Sequence, residues 1–315
     1  MNSISEYSNL NLKILEKKNL YIIGVSGGPD SIFLLDNLRK NNYKLVVAHI
    51  NYKKRIDSNN DEKLVEDYCR KYSLIFEKKE VKNDDFQDLK NFQDRARIIR
   101  YDFFKELANK YDTDCILIAH HLDDNLETYL IQKEKKSLVE NWGLKERMKL
   151  NNCWILRPLL KITKKEIEDY LKENLIKYSI DYTNDLNIYK RNIIRKEIIL
   201  LDSEKKTKII QEIAEKNKSL KEVRELVKKE KINFNDEEIQ LNVYSEKKYC
   251  EEVTLRLLFL WINKFTNGIL LKRRKKLLKE VYKQIFESKK EKLSITLNGE
   301  YKIKKDKKLV LIIKN

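Results

Sequence analysis

The chain has 315 residues, 41% of them hydrophobic, enough to bury a sizeable core and of a length compatible with two domains. A formal net charge of +17 points to a polyanionic partner, because clustered Lys and Arg neutralise phosphates and release their counterions, although Lys is so abundant throughout that charge alone locates no site. No apolar run approaches the roughly 20 residues that span a bilayer, Met1 to Lys18 lacks a signal-peptide core, and the four cysteines (Cys69, Cys115, Cys153, Cys250) form no CxxC pair, so a cytoplasmic protein is expected rather than a membrane protein, a disulfide scaffold or a zinc module.

From Asn19 to about Leu201, short apolar runs alternate with helix-like stretches. Leu20–Val25, Lys44–Ile50, Leu74–Val81 and Cys115–His120 read as strands, and the near-continuous apolar character of three of them suits a parallel sheet buried on both faces. Helical spacing marks Ser31–Lys40, Asp61–Tyr72, Asn91–Lys110 and Asp123–Lys133. The alternation predicts a doubly wound α/β fold, Rossmann-like, whose ligands gather beyond the carboxyl ends of the strands. Ser203–Lys231 is a charged, helix-prone stretch without Gly or Pro, so the expected division is a catalytic domain over 1–201, a helical connector over 202–240 and a smaller basic helical or α+β domain over 241–315. In that last part Glu251–Phe265 and the basic Leu270–Lys290 read as helical. Leu293–Leu297 and Leu309–Ile313 read as strands, with a hairpin turn at Asn298–Gly299.

The run Ser26-Gly27-Gly28-Pro29-Asp30-Ser31 follows the first strand and opens a helix, where free backbone N–H groups meet an anion. Gly27 and Gly28 permit close backbone approach and positive φ, and the serine hydroxyls can donate to phosphate. Neither GxxxxGK[ST] nor GxGxxG is present. Without a loop lysine, the helix N-terminus, Mg²⁺ and distant arginines must balance phosphate charge, and Asp30 is the natural contact for Mg²⁺.

SGGPDS resembles the pyrophosphate loop of the PP-loop ATPases, which make adenylates from ATP and release pyrophosphate. Downstream, His120-His121-Leu122-Asp123-Asp124-Asn125-Leu126-Glu127-Thr128 resembles the HHxDDxxET block shared by lysidine synthases and related tRNA thiolases. Arg157-Pro158-Leu159-Leu160, Lys164-Lys165-Glu166-Ile167, Asp181-Tyr182-Thr183-Asn184 and Arg191-Asn192-Ile193-Ile194-Arg195 resemble, in order and spacing, the pattern of the tRNA(Ile)-lysidine synthases. The thiolases carry CxxC pairs for an iron-sulfur cluster, which this chain lacks. A glutamine-dependent ligase would have no reason to match residues 157–195, and an RNA-binding protein with a dead nucleotide fold would not need the intact loop.

The resemblance implies a ligase that uses ATP to adenylate the wobble cytidine of the CAU anticodon of tRNA(Ile) and joins free L-lysine to its C2, giving lysidine, AMP and pyrophosphate. It leaves a homodimer open. Asp124 and Glu127, three apart on one helix face, are the expected holders of the lysine ammonium, with Asp123 secondary. His120, at a strand's carboxyl end, is placed to contact nucleotide or base, and a neutral imidazole there can accept a proton from the attacking amine. Arg100, with Arg97 one turn earlier, is placed to offset charge in the adenylation transition state. Arg191 and Arg195, four apart, suit ATP phosphates or the tRNA backbone. Lys272, Arg273, Arg274, Lys275 and Lys276 form the candidate tRNA-binding patch. Departures from the family are Tyr52 and Lys53, where a histidine and a glycine are usual, Asn125 for a glutamine, and the charged stretch Lys133–Leu144, where a glycine-rich segment is usual.

Overall fold

The structure, a computed structural model, describes residues 10–53, 58–81, 92–135, 138–150, 152–179, 190–230, 238–240, 250–266, 270 and 275–314. The chain divides into two compact units, Met1–Ile131 with Gly143–Ile209, and Gln132–Trp142 with Ile210–Asn315. The three-part division expected from sequence differs from this in two ways. The helix Ser203–Glu230 is divided between the units instead of forming a separate connector, and 132–142 goes with the second unit. The reason for the second difference is packing: Leu138 joins that unit's apolar cluster, and Arg256 Nη2 donates to the Val139 carbonyl at 2.7 Å.

In the first unit a six-stranded sheet has the order β3-β2-β1-β4-β6-β5. The strands are β1 (Leu20–Gly24), β2 (Lys44–Asn51), β3 (Ile75–Glu80), β4 (Cys115–Leu117), β5 (Arg147–Leu150) and β6 (Cys153–Leu156). All pairs are parallel except β5 with β6. The helices are α1 (Pro29–Lys40), α2 (Ser58–Lys71), α3 (Phe92–Lys110), α4 (Leu122–Glu134), α5 (Lys164–Glu173), α6 (Lys190–Ile199) and α7 (Ser203–Glu230).

Side-chain alternation gives the sheet two buried faces. Tyr21, Ile23, Leu45, Val47 and Leu117 enter one apolar cluster with α1, α2 and α5 residues, while Ile22, Val46, Ala48 and Ile116 enter another with Phe103, Phe104 and Leu107 of α3. The expected doubly wound fold is therefore present. The antiparallel hairpin β5–β6 was not foreseen from sequence; it turns at Asn152, whose φ of +68° is the left-handed region that Asn tolerates. Because β1 leads to β2 on one side while β4 lies on the other, the order reverses between β1 and β4. That is the switch point at which open α/β sheets bind ligands.

In the second unit a four-stranded antiparallel sheet, β7-β10-β9-β8, is formed by β7 (Glu238–Gln240), β8 (Lys292–Thr296), β9 (Tyr301–Asp306) and β10 (Leu309–Lys314). The helices α8 (Glu251–Phe265) and α9 (Lys275–Tyr282) bury Val253, Leu257, Leu258, Trp261, Leu278 and Val281 against Ile295, Ile303 and Val310. The turn expected at Asn298–Gly299 is present: Asn298 Oδ1 accepts the N–H groups of Glu300 and Tyr301 at 3.0 and 2.8 Å.

Candidate functional site

The segment Ser26–Ser31, expected to be a phosphate loop, leaves β1 and enters α1 at the switch point. Gly27 has φ +90°, and a Cβ there would lie 3.4 Å from the Asp61 carbonyl, so the position demands glycine on conformational grounds. Gly28 is the N-cap residue of α1 and Pro29 its first residue, where a missing N–H costs nothing. The serines brace the turn. Ser31 Oγ donates to the Gly28 carbonyl at 2.9 Å and accepts the Ser26 N–H at 3.2 Å, while Ser26 Oγ accepts the Gly28 N–H at 3.3 Å. From outside, the Ser179 N–H donates to the Gly27 carbonyl at 2.9 Å, and Ser179 Oγ hydrogen-bonds Asp61 at the start of α2. The N-terminus of a 12-residue helix, with its positive dipole end and uncommitted N–H groups, thus opens at the carboxyl edge of the sheet.

Beside it, β4 delivers His120 and His121 to the same edge. His121 is buried; its Nδ1 accepts the Asp123 N–H at 3.2 Å, and its Nε2 lies 3.8 Å from Asp30 and 3.5 Å from Asp124. One imidazole therefore links the phosphate loop to the acidic helix. Asp30 Oδ1 is also paired with Lys164 Nζ at 2.6 Å. Asp123 works as a brace: its Oδ2 accepts the Lys164 N–H at 2.8 Å, and its Oδ1 is paired with Lys206 at 2.5 Å. The start of α5 is independently closed by a capping box between Thr163 and Glu166.

Asp124 and Glu127 do share a face of α4, as their spacing predicts, and one guanidinium touches both. Arg195 Nη2 lies 3.6 Å from Asp124, and Arg195 Nε lies 2.6 Å from Glu127. Glu127 is 1% exposed, and its second oxygen pairs with Arg191. The carboxylate expected to take an ammonium is thus already spanned by the two arginines expected at phosphate. Burial pushes the Asp124 carboxyl up, but the neighbouring imidazoles of His121 and His120, the His121 N–H and Arg195 together hold it below the usual carboxylate range.

His120 has a partner that spacing did not reveal: Arg157, 2% exposed, whose Nε lies 3.0 Å from His120 Nδ1. Burial first, and then the charges of Arg157, Arg100 and Arg97, outweigh the pull of Asp124 and lower the imidazole to about 4. Arg97 and Arg100 thus lie on the His120 side of the site, Arg97 also stacking over the Tyr101 ring at 4.9 Å.

Lys164, Lys206, Ser179 and Arg157 were not assigned roles from sequence. Of these, Arg157 and Lys164 stand in the stretch that carries the resemblance, whereas nothing local marks Ser179 or Lys206. Asn125 accepts the Leu144 N–H at 2.6 Å and packs so closely on Gly143, whose φ is +69°, that a Cβ there would lie 2.2 Å from Asn125 Oδ1. Tyr52, the other departure, donates to the Ala96 carbonyl at 3.1 Å and so packs β2 on α3. In the basic patch, Lys272, Arg273 and Arg274 lie outside the described residues, as do Asp181–Asn184. Lys275 begins α9, and Lys276 is exposed.

Residues 1–201 match the PP-loop domain family. The tRNA(Ile)-lysidine synthase of Mycoplasma mycoides subsp. mycoides is 37% identical over 307 residues, spanning 96% of this chain and 75% of that protein. The chain belongs to the tRNA(Ile)-lysidine synthase family. The lysidine synthase of Mycoplasmopsis pulmonis is 35% identical over 295 residues and is covered over 99% of its length, with 93% of this chain. In fold the chain is similar to the U34-tRNA thiolase NcsA from Methanococcus maripaludis, solved with its [4Fe-4S] cluster, at a TM-score of 0.56 and 16% identity over 67% of this chain and 76% of that one. As a lysidine synthase this chain is an enzyme built on an ATP-using domain. Among the described residues no helix is long and apolar enough to cross a membrane.

Proposed function

We propose that this enzyme joins free L-lysine to C2 of the wobble cytidine in the CAU anticodon of tRNA(Ile), after ATP has adenylated that base. The observation that carries the reading is the convergence, at one switch point, of a glycine-serine phosphate loop with the histidine-acidic-arginine cluster of His120 to Glu127, Arg191 and Arg195. In the first half-reaction cytidine O2 attacks the α phosphorus and pyrophosphate leaves. In the second the lysine ε-amine attacks C2, and AMP leaves with the bonding electrons of the C2–O2 bond while the amine loses a proton. The N-terminus of α1 binds the leaving pyrophosphate, and Arg100 and Arg97 offset charge around the reacting base.

Mg²⁺ is implied with ATP. Among the described residues no three His, Cys, Asp or Glu side chains gather as an all-protein cage would require. Mg²⁺ instead suits one or two carboxylates together with substrate phosphates and water, and Asp30 in the first turn of α1 is the carboxylate that fits. Bound there, the ion would neutralise phosphate charge. Asp124 and Glu127 remain the proposed lysine site, with a division of labour. Asp124 has the looser arginine contact and is the acid that can take an ammonium, while Glu127 positions Arg191 and Arg195. The basic second unit, with Lys272, Arg273, Arg274, Lys275 and Lys276, is proposed to grip tRNA.

The test is incorporation of radiolabelled lysine into an isoleucine tRNA transcript with a CAU anticodon, in the presence of ATP and Mg²⁺. Ser26→Ala, which removes the hydroxyl that accepts the Gly28 N–H, is the control. Label is expected only with ATP, with one AMP and one pyrophosphate formed per lysine. No label from folded, ATP-binding protein would overturn the proposal.

A further inference from the structure

We propose that His120 serves the reaction as a hydrogen-bond donor through Nε2, and that Arg157 is the positioning residue that locks the imidazole in that tautomer. The donor's part in lysine transfer rests on the function proposed above; the tautomer does not.

The argument begins at the 3.0 Å contact between Arg157 Nε and His120 Nδ1. A guanidinium offers only N–H donors, has no acceptor, and stays protonated in proteins. Nδ1 must therefore be the acceptor, and a neutral ring whose Nδ1 accepts carries its single hydrogen on Nε2. An imidazolium would set two N–H groups and two positive charges against each other at that distance.

Arg157 is itself held. It is 2% exposed, Nη1 donates to the Lys145 carbonyl at 2.7 Å, Nη2 approaches Met148 Sδ at 3.3 Å, and the Tyr101 hydroxyl is a further partner. It cannot turn away from the ring without leaving several buried donors unmade. The charged groups around the ring are Arg157, Arg100 and Arg97, which favour its neutral form, and Asp124, which opposes them.

The consequence revises the role expected from sequence. A ring with Nδ1 accepting from Arg157 and Nε2 protonated has no lone pair to offer an attacking amine, so His120 is not the general base. It has instead one N–H at the carboxyl edge of the sheet, suited to an oxygen that gains negative charge, whether a phosphoryl oxygen or the cytidine oxygen. Arg157 acts through the imidazole, without touching substrate.

The full chain labelled with ¹⁵N-histidine has only three histidines, so His120 can be assigned by comparison with His120→Gln. At pH 7 a pyridine-type shift is expected for Nδ1 and a pyrrole-type shift for Nε2. A hydrogen on Nδ1 would overturn the proposal, and this spectrum needs no activity and no folded Arg157 variant. Gln sets an amide N–H near the Nε2 position but cannot act as a base. In ATP-dependent pyrophosphate release with tRNA, His120→Ala is expected to lose about a hundredfold in kcat, with His120→Gln within about tenfold of the native chain. Equal loss in both would overturn the donor role. Arg157→Met is expected to give a mixed tautomer and to lower kcat about tenfold with the KM for ATP little changed; an unaltered His120 spectrum in that variant would refute the lock. If the native chain transfers no lysine but shows the expected spectrum, the functional reading fails and the tautomer stands.

Discussion

Asp36 lies in α1, two turns beyond the phosphate loop, with its side chain only 2% exposed. Tyr170 of α5 donates to its Oδ2 at 2.5 Å, Tyr68 of α2 to its Oδ1 at 2.6 Å, and Arg39 and Lys40 pair with it at 2.7 and 2.9 Å. Burial raises the carboxyl, but these four donors together outweigh it and lower it from 3.8 to about 2. That lowering makes ionised Asp36 worth on the order of 2 kcal/mol of folding stability at neutral pH. Because the folded value lies below the unfolded one, the contribution is complete above about pH 4 and is lost as pH falls through about 2. Asp36→Asn keeps the shape of the protonated acid without its charge. It is expected to lower the urea midpoint of the first unit by about 1 M at pH 7, with the gap to the native chain closing toward pH 2. Hydrogen exchange of α1 and α5 amides against urea measures that unit locally. A gap that stays constant from pH 7 to pH 2, or no gap at all, would refute the reasoning.

Gly27→Ala forces a Cβ into φ +90° and is expected to weaken ATP binding about tenfold, from about 1–3 kcal/mol of strain at the loop, as measured by calorimetry with the nucleotide. Glu127→Gln leaves Arg191 and Arg195, whose side chains are 54% and 43% exposed, to rehydrate, so the stability loss should stay near about 1 kcal/mol while the lysine KM rises about tenfold. A lysine KM equal to that of the native chain would show that the arginines need no anchor. Neutralising Lys272, Arg273, Arg274, Lys275 and Lys276 together is expected to flatten the dependence of log K for tRNA on log salt, by about one for each phosphate that the patch no longer neutralises, with ATP affinity unchanged. An unaltered slope in filter binding across a salt series would remove the patch from the tRNA interface.

Periodicity and turn chemistry were enough to read β1 to β4, the helix after each of them and the Asn298–Gly299 turn, because each is written in contiguous residues. The turn at Ser26–Ser31 was legible for the same reason: a glycine that must take φ +90° and a proline at a helix start are local demands. So was the shared face of Asp124 and Glu127, since a spacing of three fixes it within α4. The β5–β6 hairpin was not legible, because short strands with Asn in the turn carry little pattern.

Only the tertiary structure decided which charges meet. Residues as far apart as Glu127 and Arg195, Asp30 and Lys164, or Asp123 and Lys206 are paired because the starts or faces of α1, α4, α5, α6 and α7 meet only in the folded chain. The same holds for His120, which its place in the sequence suggested as a proton acceptor. The hydrogen sits on Nε2 because a buried guanidinium 37 positions away in the chain occupies the other nitrogen, and such a choice is made by packing in three dimensions, where neither residue's local sequence has a say.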